Sequence, residues 1–146
     1  MGSAFQARDT ARTVSDENVE AFERCVVAAN SRDEEALLTE LHPEVEWHAV
    51  LPIVGGDATY RGHDGVQVFL REVWDVLAES RFEFPDVRDL GNRVLALGHF
   101  HVVGEASGVE TESPFAYVVE FKDAKVFLVR AYLDHSEALE AAGIEE

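Results

Sequence analysis

The residues with the clearest capacity for chemistry are Arg130, Tyr132 and Asp134, which follow the apolar run from Val126 to Val129 in KVFLVRAYLD. Alternate residues of a strand share one face, so these three side chains are predicted to form one row lining a sheltered space. A carboxylate in such a row could act as a general acid or base, because burial raises its pKa. An arginine within about 4–6 Å would instead lower that pKa and leave a structural ion bridge.

Aromatic residues that could complete such a site lie elsewhere in the chain. Tyr117 and Tyr132 could donate hydrogen bonds to a substrate carbonyl as it gains charge, or could fill core volume with one partner each. Trp47 and Trp74 could supply flat apolar walls for a ring-bearing ligand, although core aromatics need no ligand.

His99 and His101, in GHFH, share one strand face with the spacing of two metal ligands or a proton-shuttle pair. A metal site needs a third ligand, and no His-Glu-x-x-His run is present, so we expect no metal. The two histidines are predicted to lie at a dimer face or at a pocket mouth. The sequence also lacks glycine-rich phosphate motifs and a Gly-x-Ser-x-Gly elbow, so we expect neither a cofactor nor covalent serine catalysis.

The composition indicates one globular domain that avoids polyanions. The 146 residues are 47% hydrophobic, and the formal net charge of -17 argues against binding to nucleic acid or to an anionic membrane. Cys25 is the single cysteine, which excludes an internal disulfide and a cysteine-based metal cluster. No run resembles a signal peptide or a membrane span, so we predict a cytoplasmic protein with a flexible tail at 1–14 and one domain at 15–146.

Hydrophobic periodicity predicts helices first and strands afterwards. Two helices, starting near Asp16 and Asp33, precede a strand in EVEWHAV; a loop in LPIVGGDATYRGHDG then leads to a helix in GVQVFLREVWDVLAE. Four consecutive strands and a short helix in SEALEAAG follow. This order predicts an α+β domain whose helices cover the concave face of a curved sheet. Because RVLALGHFHVV is apolar on both faces, we also predict a homodimer through the outer face.

Three segments in this order, NSRDEEALLTELHPEVEW, YRGHDGVQVFL and VRAYLDHSEALEAAG, resemble the SnoaL-like branch of the nuclear transport factor 2-like (NTF2-like) superfamily, which also contains ketosteroid isomerases and limonene-epoxide hydrolases. The resemblance spans roughly Asp16 to Gly143. It implies a cone-shaped, cystatin-like fold with a mixed or antiparallel sheet and a central cavity. Ketosteroid isomerases carry their catalytic aspartate approximately where this chain has Trp47. On that frame the residues expected to face the cavity are Trp47, Tyr60, Trp74, Tyr117, Arg130, Tyr132 and Asp134.

Three functions follow as hypotheses. The first is a cofactor-independent isomerase or cyclase that acts by proton transfer on a hydrophobic cyclic or polyketide-like substrate, with Asp134 as base and Tyr117, Arg130 or Tyr132 as stabilisers. The second is a non-catalytic dimer that binds a small hydrophobic molecule. The third is epoxide hydrolysis, for which the sequence offers no convincing second acid.

Overall fold

A computed structural model describes residues 14–50 and 58–144 of the chain. The described elements are four helices and six strands, in the order α1 (Val14–Asn30), α2 (Glu34–Thr39), β1 (Leu41–Ala49), β2 (Ala58–Arg61), α3 (Gly62–Val76), β3 (Leu77–Asp89), β4 (Arg93–Gly104), β5 (Glu110–Lys122), β6 (Lys125–Tyr132) and α4 (His135–Ala141). Most of the predicted tail at 1–14 and part of the predicted loop, 51–57, lie outside the described residues. None of the described helices is long and apolar enough to cross a membrane.

The strands form one mixed sheet in the order β2-β1-β6-β5-β4-β3. Strands β3 to β6 are an antiparallel meander, whereas β1 lies parallel to β6 and carries β2 on its other edge. The predicted α+β class is confirmed, with two corrections to its elements. Strand β2 was predicted as loop, and α3 ends at Val76, three residues before the predicted end, because Leu77 already has the extended φ and ψ of β3.

Helices α1, α2 and α3 cover one face of the sheet, which we call the inner face. Phe22 and Cys25 of α1, together with Phe69 and Val73 of α3, are buried against it at helical spacing. The side chain of Asp33 accepts a hydrogen bond from the backbone N–H of Ala36 at 3.1 Å and so begins α2. The inner face and these helices together hold the main hydrophobic core.

Helix α4 lies on the opposite, outer face, so the prediction that all helices occupy the concave face is wrong for this helix. Ala138 and Ala142 of α4 pack with Leu95, Leu97 and other residues of β4 and β5 in a second buried cluster. The backbone oxygen of Gly98 lies 2.8 Å from His135 Nε2, which links the start of α4 to β4. Helix α4 of the same chain therefore buries apolar residues on the outer face of β4, the surface through which a homodimer was predicted.

The contact between β3 and β4 depends on Gly98. The register of the two strands shifts between Glu83 and Asp86, which is the site of a bulge, and the bulged backbone lies directly on Gly98. A Cβ atom added to Gly98 would lie 1.8 Å from the carbonyl oxygen of Glu83. Only glycine permits this approach.

Candidate functional site

A cavity of about 60 Å³ lies between the inner face of the sheet and helices α1, α2 and α3. Most of its walls are aliphatic or aromatic. Val26, Trp74 and Ser80 line it and are only half-buried, so the cavity approaches the surface where α1, the end of α3 and the start of β3 meet. Its remaining lining residues are Phe22, Cys25, Ala29, Leu37, Leu41, Trp47, Phe69, Leu70, Val73, Phe82, Phe84, Tyr117, Val119, Val126 and Val129.

Strand register explains why Trp47 and Tyr117 both face the cavity. Tyr117 pairs with Ala96 of β4 and Ala131 of β6, two buried residues of the inner core. Trp47 pairs with Val129 of β6, and the side chain of Val129 faces inward. Directly paired residues share a face of the sheet, so these side chains all project toward the helices.

The rings of Trp47 and Tyr117 pack edge to face, with 5.9 Å between their centroids. The Trp47 indole Nε1 is buried and has no hydrogen-bond partner among the described residues. No hydrogen bond of the Tyr117 hydroxyl occurs within the described part of the chain either, and burial raises the pKa of this phenol. Both groups stay protonated near neutral pH, so both remain hydrogen-bond donors on residues that line the cavity.

Two smaller polar groups complete the described walls. Burial raises the pKa of the Cys25 thiol from about 9 to about 12, so this side chain is a neutral thiol at neutral pH. The Ser80 hydroxyl makes no hydrogen bond within residues 14–50 and 58–144. Carboxylates and imidazoles are absent from the described cavity walls. The polar chemistry of this part of the site is therefore hydrogen bonding by neutral groups.

The side of the cavity near the surface is held by Asn30 and Arg32. The Asn30 amide donates to the Phe82 carbonyl and accepts from the Phe82 N–H, both at 2.9 Å, and so pairs with the edge of β3. Arg32 donates to the carbonyls of Trp74 and Leu77, and its Cζ lies 5.8 Å from the centroid of the Trp74 ring. These contacts fix Phe82 and Trp74 in the cavity wall.

The row of Arg130, Tyr132 and Asp134 does not line the cavity, which corrects the prediction that it would. Arg130 and Tyr132 pair with Val118 and Ala116 of β5, whose side chains belong to the outer cluster. Tyr132 packs against that cluster, and Arg130 is exposed. The alternation of Arg130 and Tyr132 was predicted correctly, but these side chains lie on the outer face, opposite α1, α2 and α3, and Asp134 follows the end of β6 at Tyr132.

Asp134 also differs from its predicted role as a base or as the ion-pair partner of Arg130. Its side chain accepts a hydrogen bond from the Ser136 N–H at 2.8 Å and begins α4 as the N-cap. No ion pair between Asp134 and Arg130 forms in the described structure. The carboxylate therefore has a structural partner and lies outside the cavity.

Three further residues proposed as substrate-binding do not line the cavity. Tyr60 packs its ring on Phe69, and its hydroxyl donates to Glu72 at 2.8 Å; burial, and then this hydrogen bond, raises its pKa. His99 is exposed and bonds Glu83 on the outer side of the sheet. His101 lies next to it, within 3.3 Å of Glu112. Of the residues predicted to contact a ligand, Trp47, Trp74 and Tyr117 line the cavity together.

The sequence interpretation missed several cavity residues that carry a readable signal. Phe22, Cys25 and Ala29 recur at helical spacing on one face of α1, and all three line the cavity. Phe82 and Phe84 alternate along β3 and face the same space. A core face and a cavity wall have the same pattern, so the sequence alone does not separate these residues from ordinary core residues.

Comparisons with known proteins agree with this architecture. The sequence profile of the SnoaL-like domain matches residues 19–129. An NTF2-like protein of unknown function from Burkholderia pseudomallei K96243 is 26% identical, with a TM-score of 0.73 over 85% of this chain and 95% of that one. TerC, co-crystallised with polyporic acid, is 27% identical, with a TM-score of 0.71 over 87% of this chain and 98% of its own.

A more distant structure shares the fold alone. An LEH-like epoxide hydrolase from M. tuberculosis is 17% identical, with a TM-score of 0.67 over 86% of this chain and 89% of that chain. No curated protein matches the sequence. The profile match covers most of the chain, and the helices and mixed sheet enclose a cavity as the resemblance implied, so the protein belongs to the SnoaL-like domain family of NTF2-like proteins.

Proposed function

We propose that this protein binds a small, mainly apolar, ring-bearing molecule through one hydrogen-bond acceptor, such as a carbonyl oxygen. The observation that carries the proposal is the Trp47 indole N–H, which is buried beside an apolar cavity without an acceptor among residues 14–50 and 58–144. A buried donor with no partner costs about 1–3 kcal/mol, and a bound acceptor would recover part of that cost. The Tyr117 hydroxyl supplies a second donor on the same wall.

The size of the cavity adds a condition to this proposal. Its volume is about 60 Å³. Engineered apolar cavities of about 150 Å³ accept benzene, so a ring must displace some of the lining side chains here. The half-buried Val26 is the side chain we expect to move. The co-crystallisation of TerC with polyporic acid supports a small organic molecule as the occupant.

A matched pair of probes tests the binding proposal. Acetophenone and α-methylstyrene have nearly the same shape, but only the ketone carries an acceptor. Calorimetric titration is expected to give a lower Kd for acetophenone by about tenfold, the effect of one buried hydrogen bond to a neutral acceptor. The variant Ala29→Phe fills the cavity and should abolish binding of both probes. Equal affinities, or binding that survives Ala29→Phe, would contradict the proposal.

A cofactor-independent isomerase or cyclase is the second candidate. The donors of Trp47 and Tyr117 favour it, because two donors aimed at one carbonyl oxygen would stabilise an enolate. The described walls supply no carboxylate base, so Asp134 is not proposed for that role. Exchange of the acetophenone methyl protons in D₂O, followed by ¹H NMR, separates the two candidates. Catalysed exchange that Tyr117→Phe slows supports the enzyme; exchange at the uncatalysed rate supports a binding protein.

Homodimerisation stays a prediction with less support than before, because α4 already covers the outer face of β4. A dimer would use what remains exposed on that side, near His99 and the charged ends of β4 and β5. Light scattering at micromolar concentration tests it: the monomer mass of 16.2 kDa alone would reject the dimer.

A further inference from the structure

Arg32 is a cation at the cavity wall whose charge no described carboxylate neutralises. It lies between α1 and α2 with φ 55, and it is half-buried. Its Nη1 and Nη2 each donate to a backbone carbonyl, of Trp74 and Leu77 respectively, and no ion pair of Arg32 occurs among the described residues. Neutral carbonyls satisfy some of its donors but leave its positive charge without a counter-charge.

An open groove joins this arginine to the cavity. Asn30, Arg32, Glu79, Ser80, Arg81 and His101 line the groove. Ser80 also lines the cavity, so the two spaces meet at its hydroxyl. The Trp74 ring separates them on the other side, because one part of it faces the cavity and the Arg32 guanidinium stacks on it.

The groove is less acidic than the chain as a whole. The protein has 12 basic and 29 acidic residues, yet the groove holds Arg32 and Arg81 with one carboxylate, that of Glu79. Arg81 is paired with Glu83 at 3.1 Å, so Arg32 is the arginine of the groove that forms no ion pair among the described residues. Across a surface that otherwise repels anions, this is where an anionic ligand group would meet a favourable potential.

We propose that the molecule bound by this protein is an amphipathic carboxylic acid, with its apolar ring in the cavity and its carboxylate in the groove against Arg32. The proposal rests on the proposed function, since it assumes that the cavity is a ligand site. The remaining guanidinium donors suit a carboxylate, which accepts two parallel hydrogen bonds from an arginine. Ser80, at the junction, can donate a further hydrogen bond to the same ligand.

A series of ketones of equal ring size tests this inference. The probes are butyrophenone, which is neutral, and ω-benzoyl alkanoates of increasing chain length, such as 3-benzoylpropionate. Kd is measured from the fluorescence of the two tryptophans or by calorimetry. One chain length should bind at least tenfold more tightly than butyrophenone, and this advantage should shrink as NaCl is raised, because the added contact is between charges.

Substitution of Arg32 gives the decisive comparison. Arg32→Gln keeps a side chain that can hydrogen-bond and leaves the positive φ unchanged, but it removes the charge. We expect Arg32→Gln to raise the Kd of the tightest-binding benzoyl alkanoate about tenfold. The Kd of butyrophenone should change by no more than about twofold. Arg32→Lys keeps the positive charge and should therefore recover part of the lost affinity for the benzoyl alkanoate. Arg24→Gln is the matched control, and it should change either Kd by no more than about twofold, since Arg24 pairs with Glu40 outside the groove.

The outcomes separate this inference from the proposed function. If butyrophenone binds but no alkanoate binds more tightly, the carboxylate site is overturned and the cavity proposal stands. The carboxylate site is also overturned if Arg32→Gln weakens both probes equally, because Arg32 then only holds Trp74 in place. If neither probe binds at millimolar concentration, both proposals are overturned.

Discussion

The indole of Trp47 and the phenol of Tyr117 meet at 83° between ring planes, and each carries a hydrogen-bond donor that no described acceptor occupies. The two residues come from strands that are not neighbours: β1 and β5 are separated by β6. They face each other because both lie on the inner face, above the gap left by α1 and α3. The ligand that we propose is defined by these two donors.

The Tyr117 hydroxyl should contribute little to stability. Tyr117→Phe removes a buried group without removing a hydrogen bond, so the free energy of unfolding should stay within about 0.5 kcal/mol of the wild type or increase. Tyr60→Phe is the matched control, because its hydroxyl donates to Glu72, and it should cost about 0.5–1.5 kcal/mol. Urea denaturation measures both. A loss above 1 kcal/mol for Tyr117→Phe would show that its hydroxyl has a protein partner.

Cys25 should make the protein less stable as the pH rises above about 9. Its thiol has a pKa of about 12 in the folded protein and about 9 when unfolded, so the unfolded chain loses its proton first. The stability that Cys25 contributes is therefore complete below pH 9 and declines as the pH rises toward 12, by about 1.4 kcal/mol per pH unit.

The control for this effect is Cys25→Ala. Denaturation under reducing conditions between pH 8 and 10.5 should give two stability curves that converge as the pH rises, because the alanine variant lacks the thiol. Ionisation of Tyr60, Tyr132 and the two lysines affects both proteins alike. Parallel curves would mean that the Cys25 thiol is not buried as the structure describes.

Asp134 should act on the stability of α4 and not on ligand binding. Asp134→Ala should lower the free energy of unfolding by about 1 kcal/mol, because it removes the N-cap, whereas Asp134→Asn should cost only a few tenths, since asparagine caps as well. Neither should change the Kd for acetophenone. Arg130→Met changes a residue on the exposed outer side, and it should alter the free energy of unfolding by no more than about 0.5 kcal/mol. A large loss of binding in Asp134→Asn would place this carboxylate in the site.

Gly98 should be among the most sensitive positions of the sheet. Gly98→Ala places a methyl group on the carbonyl of Glu83, part of a bulged backbone, and should cost about 3 kcal/mol or more. Gly104→Ala is the control in the same strand, because its nearest contact is the Ser107 hydroxyl, which can rotate away; it should cost less than about 1.5 kcal/mol. Similar losses for the two variants would contradict the close contact of β3 and β4.

The sequence predicts the elements better than it predicts which way they face. The alternation of Arg130 and Tyr132 is correct, but β6 lies inside the sheet with core on both sides: Val129 and Ala131 pack inward, and Tyr132 packs against the outer cluster. When both faces are apolar, the period of two residues does not indicate which face meets the cavity. The face of the sheet on which each side chain of β6 lies is set by how β6 pairs with β5. The sequence of β6 alone does not contain that information.

Helix α4 is the second feature that local patterns did not reveal. SEALEAAG predicts a short helix, but the side of the sheet it covers depends on the chain turning back after Tyr132. The same apolar residues of β4 therefore suggested a dimer. The inward orientation of Trp47 and Tyr117 was predicted from the resemblance to NTF2-like proteins, which implies a cavity on that side of the sheet.

The central claim is that an acceptor on a bound ring meets the indole N–H of Trp47, and the signal of that proton tests it most directly. The chain has two tryptophans, so a ¹H–¹⁵N spectrum shows two indole signals, and Trp74→Phe assigns them. Titration with acetophenone is predicted to move the Trp47 signal downfield, as expected for a new hydrogen bond, and α-methylstyrene is predicted to move it much less. A Trp47 signal that responds to neither probe, or equally to both, would contradict the account.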